Sequence, residues 1–455
     1  MGKNLKKNRT DVAPFQKKLH NAPMFRRKNF LGVLGMFYLL GIVSSAQAAA
    51  PTLTYRYRHF LFTLTASDMQ QWQGEEEIWT YHGKEITPPA SFLVDGDRVP
   101  PPPEGFARTT KITWDTDAIA ATIAEKIASH IDQPAGSVEI SRSQTGAILF
   151  RGIGFPGRTV DTKVAALLTV EALKQGATDI MLPVLETQPT VTVLSKELRD
   201  MGIRELVTIG ESTFYGSTKN RIHNIKTGLN RFSGHLIARG ETFSFVKVLG
   251  PVDATTGYRK ELTIKGEKTL PDYGGGLCQV STTAYRGVWE YGFPITQRKN
   301  HSYAVSYYAP QGTDATVYPP NVDIKFLNDS PGAILIQTAI DTEHLKASFL
   351  YYGTKDNRES DVIGPFVWGR TEAPPPRTEE TTEIPPGTTR KVGEAVPGLH
   401  AAWFRTIRRD GQEKTEGVYS IYEARPLFTQ IGVATLSTGS GSLTSAPESE
   451  AVLSD

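Results

Sequence analysis

Between residues 52 and 207 the apolar positions switch repeatedly between the two-residue spacing of strands and the three-to-four-residue spacing of helices. Lys111-Ile-Thr-Trp114 has strand spacing, and Asp115 or Thr116 then caps a helix with Ile119, Ile123 and Ile127 on one face. Ser137–Arg142 and Ala147–Arg151 read as short strands joined by a turn at Thr145-Gly146. A second helix begins near Asp161, is expected to bury Val164, Leu167, Leu168 and Leu173, and stops at Gly176. Asp179–Leu185 returns as a strand, and Pro100–Pro103 marks a stiff loop before the series. The order β-α-β-β-α-β is the split-βαβ arrangement.

Residues 214–355 carry many short β-like segments around one well-patterned helix. A Pro-rich linker and small β segment follow at 364–433, with Pro374-Pro375-Pro376 and Pro385-Pro386 leading into Trp403–Ile421. The tail, 434–455, is rich in Ser, Gly and Thr and is expected to lack a packed core. The predicted fold class is therefore α+β. An N-terminal split-βαβ module is followed by a β-rich domain with one central helix and a small β segment at the C-terminal end.

The ends of the chain change where this fold is expected to work. Lys3, Lys6, Lys7, Arg9, Lys17, Lys18, Arg26, Arg27 and Lys28 face Asp11 alone, followed by the apolar run Phe30–Val43 and Ser44-Ser45-Ala46-Gln47-Ala48. A basic stretch, a short apolar stretch and an A-x-A site make residues 1–48 a secretory signal, or a membrane anchor if uncleaved. The run at 30–43 is short for a spanning helix, which needs roughly 20 apolar residues. The formal charge of the whole chain is only +2, so beyond this leader it is acidic and no nucleic-acid partner is implied. The expected location is extracytoplasmic, in the periplasm or cell wall, with residues 30–43 as a possible membrane tether.

Cys278 is the one cysteine in the sequence, so an internal disulfide is impossible and the thiol is either buried or used. It lies in Gly274-Gly275-Gly276-Leu277-Cys278-Gln279-Val280-Ser281. The glycines allow positive φ and close backbone approach. The following residues read as a helix, with Val280, Ala284 and Val288 on one face and Gly292 at its end. Cys278 at a helix start favours a thiolate, and the N–H groups there and in the glycine turn at Gly275 and Gly276 are candidates to stabilise an oxyanion. A nucleophile of this kind needs a base and an orienting acceptor. His301 and Asp314 are the candidates, brought together by a hairpin of Tyr303–Tyr308 and Ala315–Tyr318. The competing reading is an inert buried thiol, a surface histidine and a turn-forming aspartate. Tyr258 and Gln279 are candidates for lining a peptide groove, with aromatic packing as the commoner role for Tyr258.

The segment from Phe232 to Leu327 resembles the VanW family. The matching pieces are Phe232-Ser-Gly234, Gly240-Glu-Thr-Phe-Ser-Phe245, Gly250-Pro251, Gly257-Tyr258, the glycine–cysteine motif, Arg298 with His301-Ser302, Tyr307 and Asp314-Ala315. Arg239, Val246 and Ala284 depart from the family pattern. The resemblance implies a cell-wall protein, and for some members a peptidoglycan L,D-transpeptidase that uses this cysteine. By that resemblance Cys278 is the nucleophile, His301 the base and Asp314 its orienter. Gly275, Gly276, Gln279, Ser281, Arg298, Ser302 and Tyr258 are then substrate or oxyanion residues, and peptidoglycan stem peptides are the partners. Residues 52–207, including Gly157-Arg158 before Val160-Asp161, resemble the peptidoglycan-binding module found beside such domains. Pro386-Gly387 to Tyr422 is similar to the usual tail of VanW proteins and to small G5-type extracellular modules.

Two other classes stay open: a non-catalytic wall-binding scaffold with a structural cysteine, and a cysteine hydrolase acting as carboxypeptidase or endopeptidase. Gly152-Ile-Gly154-Phe-Pro-Gly157 fits a dinucleotide fingerprint, but Pro156 intervenes and the helix starts only near Asp161, so it reads as a turn. The histidines are scattered without zinc-site spacing, and neither metal nor cofactor is expected.

Overall fold

Lys346–Gly353 is buried along nearly its whole length, the mark of a strand covered on both faces. Its Ala347, Phe349 and Tyr351 join one hydrophobic cluster, while Leu350 and Tyr352 point into another. The strand lies in a four-stranded antiparallel sheet, in the order Glu205–Thr213, Lys346–Gly353, Ile334–Asp341, Leu236–Ile237. On one face sits the helix Leu277–Tyr291, which carries Cys278 as its second residue. On the other face, Val138 and Ile140 of the N-terminal region pack with Leu198, Ile203 and Leu206. These elements belong to a computed structural model that describes residues 52–87, 104–266 and 268–434. The leader, Pro100–Pro103 and the tail from 435 onward lie outside the described residues.

The cysteine helix meets the sheet at backbone distance. A Cβ on Gly210 would stand 2.1 Å from the Thr283 carbonyl oxygen, and one on Gly287 would stand 2.6 Å from the Gly210 nitrogen. Polar side chains buried along the helix are paired with its surroundings: Thr283 Oγ1 with Ser212 Oγ at 2.6 Å, and Gln279 Nε2 donating to Ser212 Oγ at 2.7 Å. The helix ends where Gly292 turns left-handed at φ +100°.

The molecule is α+β, and its N-terminal strands are arranged differently from the expectation. Strands expected in one split-βαβ sheet are spread over four small ones. Phe106–Trp114, largely exposed, pairs with Gln73–Tyr81. Leu53–Tyr57, with alternating buried positions, takes the place beside Asp179–Met181, in parallel. Ser137–Arg142 pairs with Ile148–Ile153 and with Thr190–Val193. Gly157–Val160 pairs with Val184–Thr187.

Both expected helices form with the expected caps. Asp115 accepts from the Asp117 and Ala118 N–H groups, and Asp161 accepts from that of Val164. The second helix, Thr162–Gln175, nevertheless turns the other way round. Ala165, Ala166 and Thr169 are buried, Leu173 is partly so, and Val164, Leu167 and Leu168 are exposed. Small residues let this helix close onto Thr116–Ile123, and Tyr55 seals the contact through a 2.8 Å hydrogen bond to Thr169.

The C-terminal strands Glu359–Thr371, Gly398–Arg409 and Gln412–Tyr422 form an antiparallel sheet. It is anchored to the cysteine helix by Arg405, which is almost fully buried and donates to the Trp289 and Phe293 carbonyls at 2.5 and 3.0 Å. Trp403 sits in the same core as the cysteine helix.

Candidate functional site

Three glycines deliver the thiol. Gly274 has φ +81°, Gly276 caps the cysteine helix at φ +113°, and Gly275 passes so close to the strand beside it that a Cβ would meet Glu261 Cβ at 2.8 Å. Asn224 fixes the loop from below by donating to the Gly275 carbonyl at 3.0 Å. Cys278 then emerges half-buried at the first turn of the helix. Its sulfur lies 3.4 Å from Thr316 Oγ1 and 3.8 Å from the Val317 carbonyl oxygen.

His301 and Asp314 are in contact, though not through the expected hairpin. Residues 302–324 form irregular chain with one short 3-10 turn, Ser306–Tyr308. A single backbone bond, Thr316 N–H to the Lys299 carbonyl at 2.8 Å, holds the two arms together. Asp314 Oδ2 accepts from His301 Nδ1 at 2.5 Å and from the His301 backbone N–H at 2.8 Å. This clamp fixes Nδ1 as the protonated ring nitrogen. The ring stacks on Tyr308, centroids 4.3 Å apart and 12° from parallel. His301 Nε2 is buried, with no nitrogen or oxygen partner among the described residues, and the Cys278 sulfur is a group the ring acts on.

Asp314 Oδ1 is held by two further donors, Arg298 Nη2 at 3.3 Å and the Tyr422 hydroxyl. Arg298 also donates to the Asp314 and Gly312 carbonyls. Tyr422 comes from the C-terminal sheet and in turn accepts from the Gly312 N–H at 2.7 Å.

The electrostatics follow from these contacts. Burial pushes the Cys278 thiol up, but the His301 imidazole beside it, with help from Thr316, overrides burial and brings the thiol down to about 7. Burial disfavours the charged form of His301, yet the Asp314 hydrogen bond and the sulfur raise it to about 9. Asp314, despite burial, is held well below the usual carboxylate range by His301 and Arg298. These opposed shifts favour a thiolate–imidazolium pair as the pH rises through about 7.

The remaining expected site residues divide by environment. Gln279 is fully buried, donating to Ser212 and accepting from Arg221 at 3.2 Å. Ser281 is fully buried and donates to the Ala315 carbonyl at 2.6 Å. Tyr258 lies in the hydrophobic core with the cysteine helix. Ser302 is exposed, its carbonyl accepting from the Glu423 N–H at 2.7 Å. The donors of Arg298 are taken up by Asp314, Gly312 and Tyr419. Gln279, Ser281 and Arg298 thus build the site from behind. Sequence reasoning did not single out Thr316, Tyr308 or Tyr422, and no local signal in the chain points to any of them.

A family model described as VanW like protein matches residues 220–350. The uncharacterized protein YoaR of Bacillus subtilis is 34% identical over 165 residues, which is 36% of this chain and 52% of that protein. The vancomycin B-type resistance protein VanW of Enterococcus faecalis is 30% identical over 132 residues, 28% of this chain and 48% of that protein. The chain thus spans about half the length of the curated relatives it matches. A solved IgA1 protease G5 domain aligns along its full length with 18% of this chain at 15% identity, but with a TM-score of 0.11 it supports no argument. Cys278, His301 and Asp314 all fall inside the matched segment, and residues 220–350 are a VanW-like domain.

Proposed function

We propose that this VanW-domain protein works on the cell wall as a cysteine acyltransferase of the L,D-transpeptidase type, with peptidoglycan stem peptides as substrates. The observation that carries the reading is the His301 ring, clamped at Nδ1 by Asp314 and acting on the Cys278 thiol. Asp314 holds Nδ1, which leaves Nε2 as the ring nitrogen available to the sulfur, and the ring lowers the thiol pKa against burial. A histidine with Nδ1–H committed to a carboxylate has Nε2 free to move a proton, as in nucleophile–base–orienter triads.

The Cys278 thiolate attacks the carbonyl carbon of the third stem residue. The tetrahedral oxyanion is stabilised by N–H groups at the start of the cysteine helix and by its dipole. The C–N bond to terminal D-Ala breaks as His301 gives its Nε2 proton to the leaving amine, and a thioester remains. An amine of a neighbouring stem then attacks the thioester, loses its proton to His301 and releases the thiolate. With water as acceptor the same steps give hydrolysis.

The test is mass spectrometry of products after incubation with purified disaccharide-tetrapeptide, beside Cys278→Ala. A cross-linked dimer lacking one D-Ala, absent with the variant, is the expected result. Cysteine-dependent loss of D-Ala without dimer makes the protein a hydrolase. No change with folded protein removes the enzymatic reading and leaves a wall-binding scaffold.

A further inference from the structure

The far end of the cysteine helix faces a cavity of about 410 Å³. That is within the roughly 300–1,000 Å³ usual for small-molecule sites. Cys278 and Glu290 are separated by nearly the whole helix Leu277–Tyr291, on the order of 18 Å at 1.5 Å per residue. This cavity is therefore separate from the thiol. It lies where N-terminal segments meet the sheet and the start of the C-terminal strands, and Pro156, Met181, Ile209 and Val362 give it apolar walls.

Two polar groups on its walls are buried without any hydrogen-bond partner: Glu290 Oε2 and Ser360 Oγ. The other oxygen of Glu290 bonds His59 Nδ1 at 2.5 Å. Burial lowers the His59 pKa, against the pull of Glu290. Arg286, one turn earlier, spends its hydrogen bonds on Thr313, Tyr308 and Ala309. A buried carboxylate oxygen and a hydroxyl in this state call for a cationic donor.

The cations at the cavity are unequal. Arg58 is engaged by Glu186 through two contacts of 2.8 and 3.0 Å, and Arg358 by Asp329, Asp356 and the Gly292 carbonyl. The half-buried Lys355 ammonium makes no direct hydrogen bond or ion pair among the described residues, although Glu205 and Glu186 act on it from a distance. A carboxylate with one oxygen unpaired, a hydroxyl, an ammonium without a direct partner and apolar walls together describe the complement of one ligand class.

We infer that this cavity binds a small zwitterion, an amino acid or dipeptide with an apolar side chain. Its ammonium is received by Glu290 and Ser360, its carboxylate by Lys355. The site stands independently of the thiol chemistry.

The experiment is isothermal titration of the full chain with L-leucine, D-leucine and L-alanyl-L-leucine. Isoamylamine, which lacks the carboxylate, and isocaproate, which lacks the ammonium, serve as controls. The expected result is saturable binding of at least one zwitterion, at least tenfold tighter than either control. Lys355→Met, at a half-buried position, weakens it at least tenfold, as does Glu290→Gln where its thermal melt matches the wild type. Cys278→Ala binds as the wild type does. The inference is overturned if no zwitterion binds, if a control binds equally well, if Lys355→Met binds unchanged, or if Cys278→Ala abolishes binding.

Discussion

Replacing Asp314 by Asn keeps the side chain's size and removes the charge that organises the thiol site. Asp314 is the chief partner raising His301 from 6.5 to about 9, a rise equivalent to about 3 kcal/mol at roughly 1.4 kcal/mol per pH unit. Without it only the Cys278 sulfur opposes burial of the ring, and His301 gives up its proton at a lower pH. Cys278 then loses its cationic neighbour and climbs from about 7 past the free-thiol value of about 8.5. At pH 7 the thiolate fraction drops from about one half to a few per cent, so alkylation slows on the order of tenfold. The assay is the rate of iodoacetamide labelling from pH 5 to 10, followed by intact mass. The wild type should show a midpoint near 7 and Asp314→Asn one above 8.5. A folded Asp314→Asn protein that labels with the wild-type midpoint refutes the role given to the His301–Asp314 pair.

Tyr422→Phe removes a charge-assisted bond to Asp314 and strands the buried Gly312 N–H. It should cost about 2–4 kcal/mol in urea unfolding, and a wild-type melt would show that the C-terminal sheet does not clamp the site. Gly276→Ala forces a side chain to φ +113° with its Cβ 3.1 Å from Arg221 and Ile225. A loss of about 1–3 kcal/mol is expected, together with a higher alkylation midpoint as the helix start shifts. Gly210→Ala drives a methyl to 2.1 Å from the Thr283 carbonyl oxygen. It should destabilise the protein by about 3 kcal/mol or more, read as loss of the cooperative thermal transition, and an unperturbed melt would contradict the helix–sheet packing.

Features set by local chemistry were legible in the chain. The caps at Asp115, Asp161 and Gly176 follow from side-chain oxygens and a left-handed glycine, and all three form. The start of the cysteine helix was marked by its glycines and its end by Gly292. The His301–Asp314 contact was anticipated from a hairpin that does not exist, because a buried ion-pair clamp fixes irregular chain as firmly as strand pairing would. The face of Thr162–Gln175 was misread because apolarity suggested the leucines, whereas close helix packing selects Ala165 and Ala166. Tyr422 stands 108 positions from Asp314, and only the folding of the C-terminal sheet back over the site makes it a partner. The arrangement of the N-terminal strands was hidden for the same reason: period-two alternation names a strand without naming its neighbour.

The central claim is that Cys278 carries the acyl group. Mixing the protein with disaccharide-tetrapeptide, quenching in acid within seconds and mapping the peptides by mass spectrometry tests it most directly. The account predicts an adduct on Cys278 with the mass of the disaccharide-tripeptide acyl group, removed by hydroxylamine and absent in Cys278→Ala. Product formation with no adduct at any quench time, or an adduct on another residue, would contradict it.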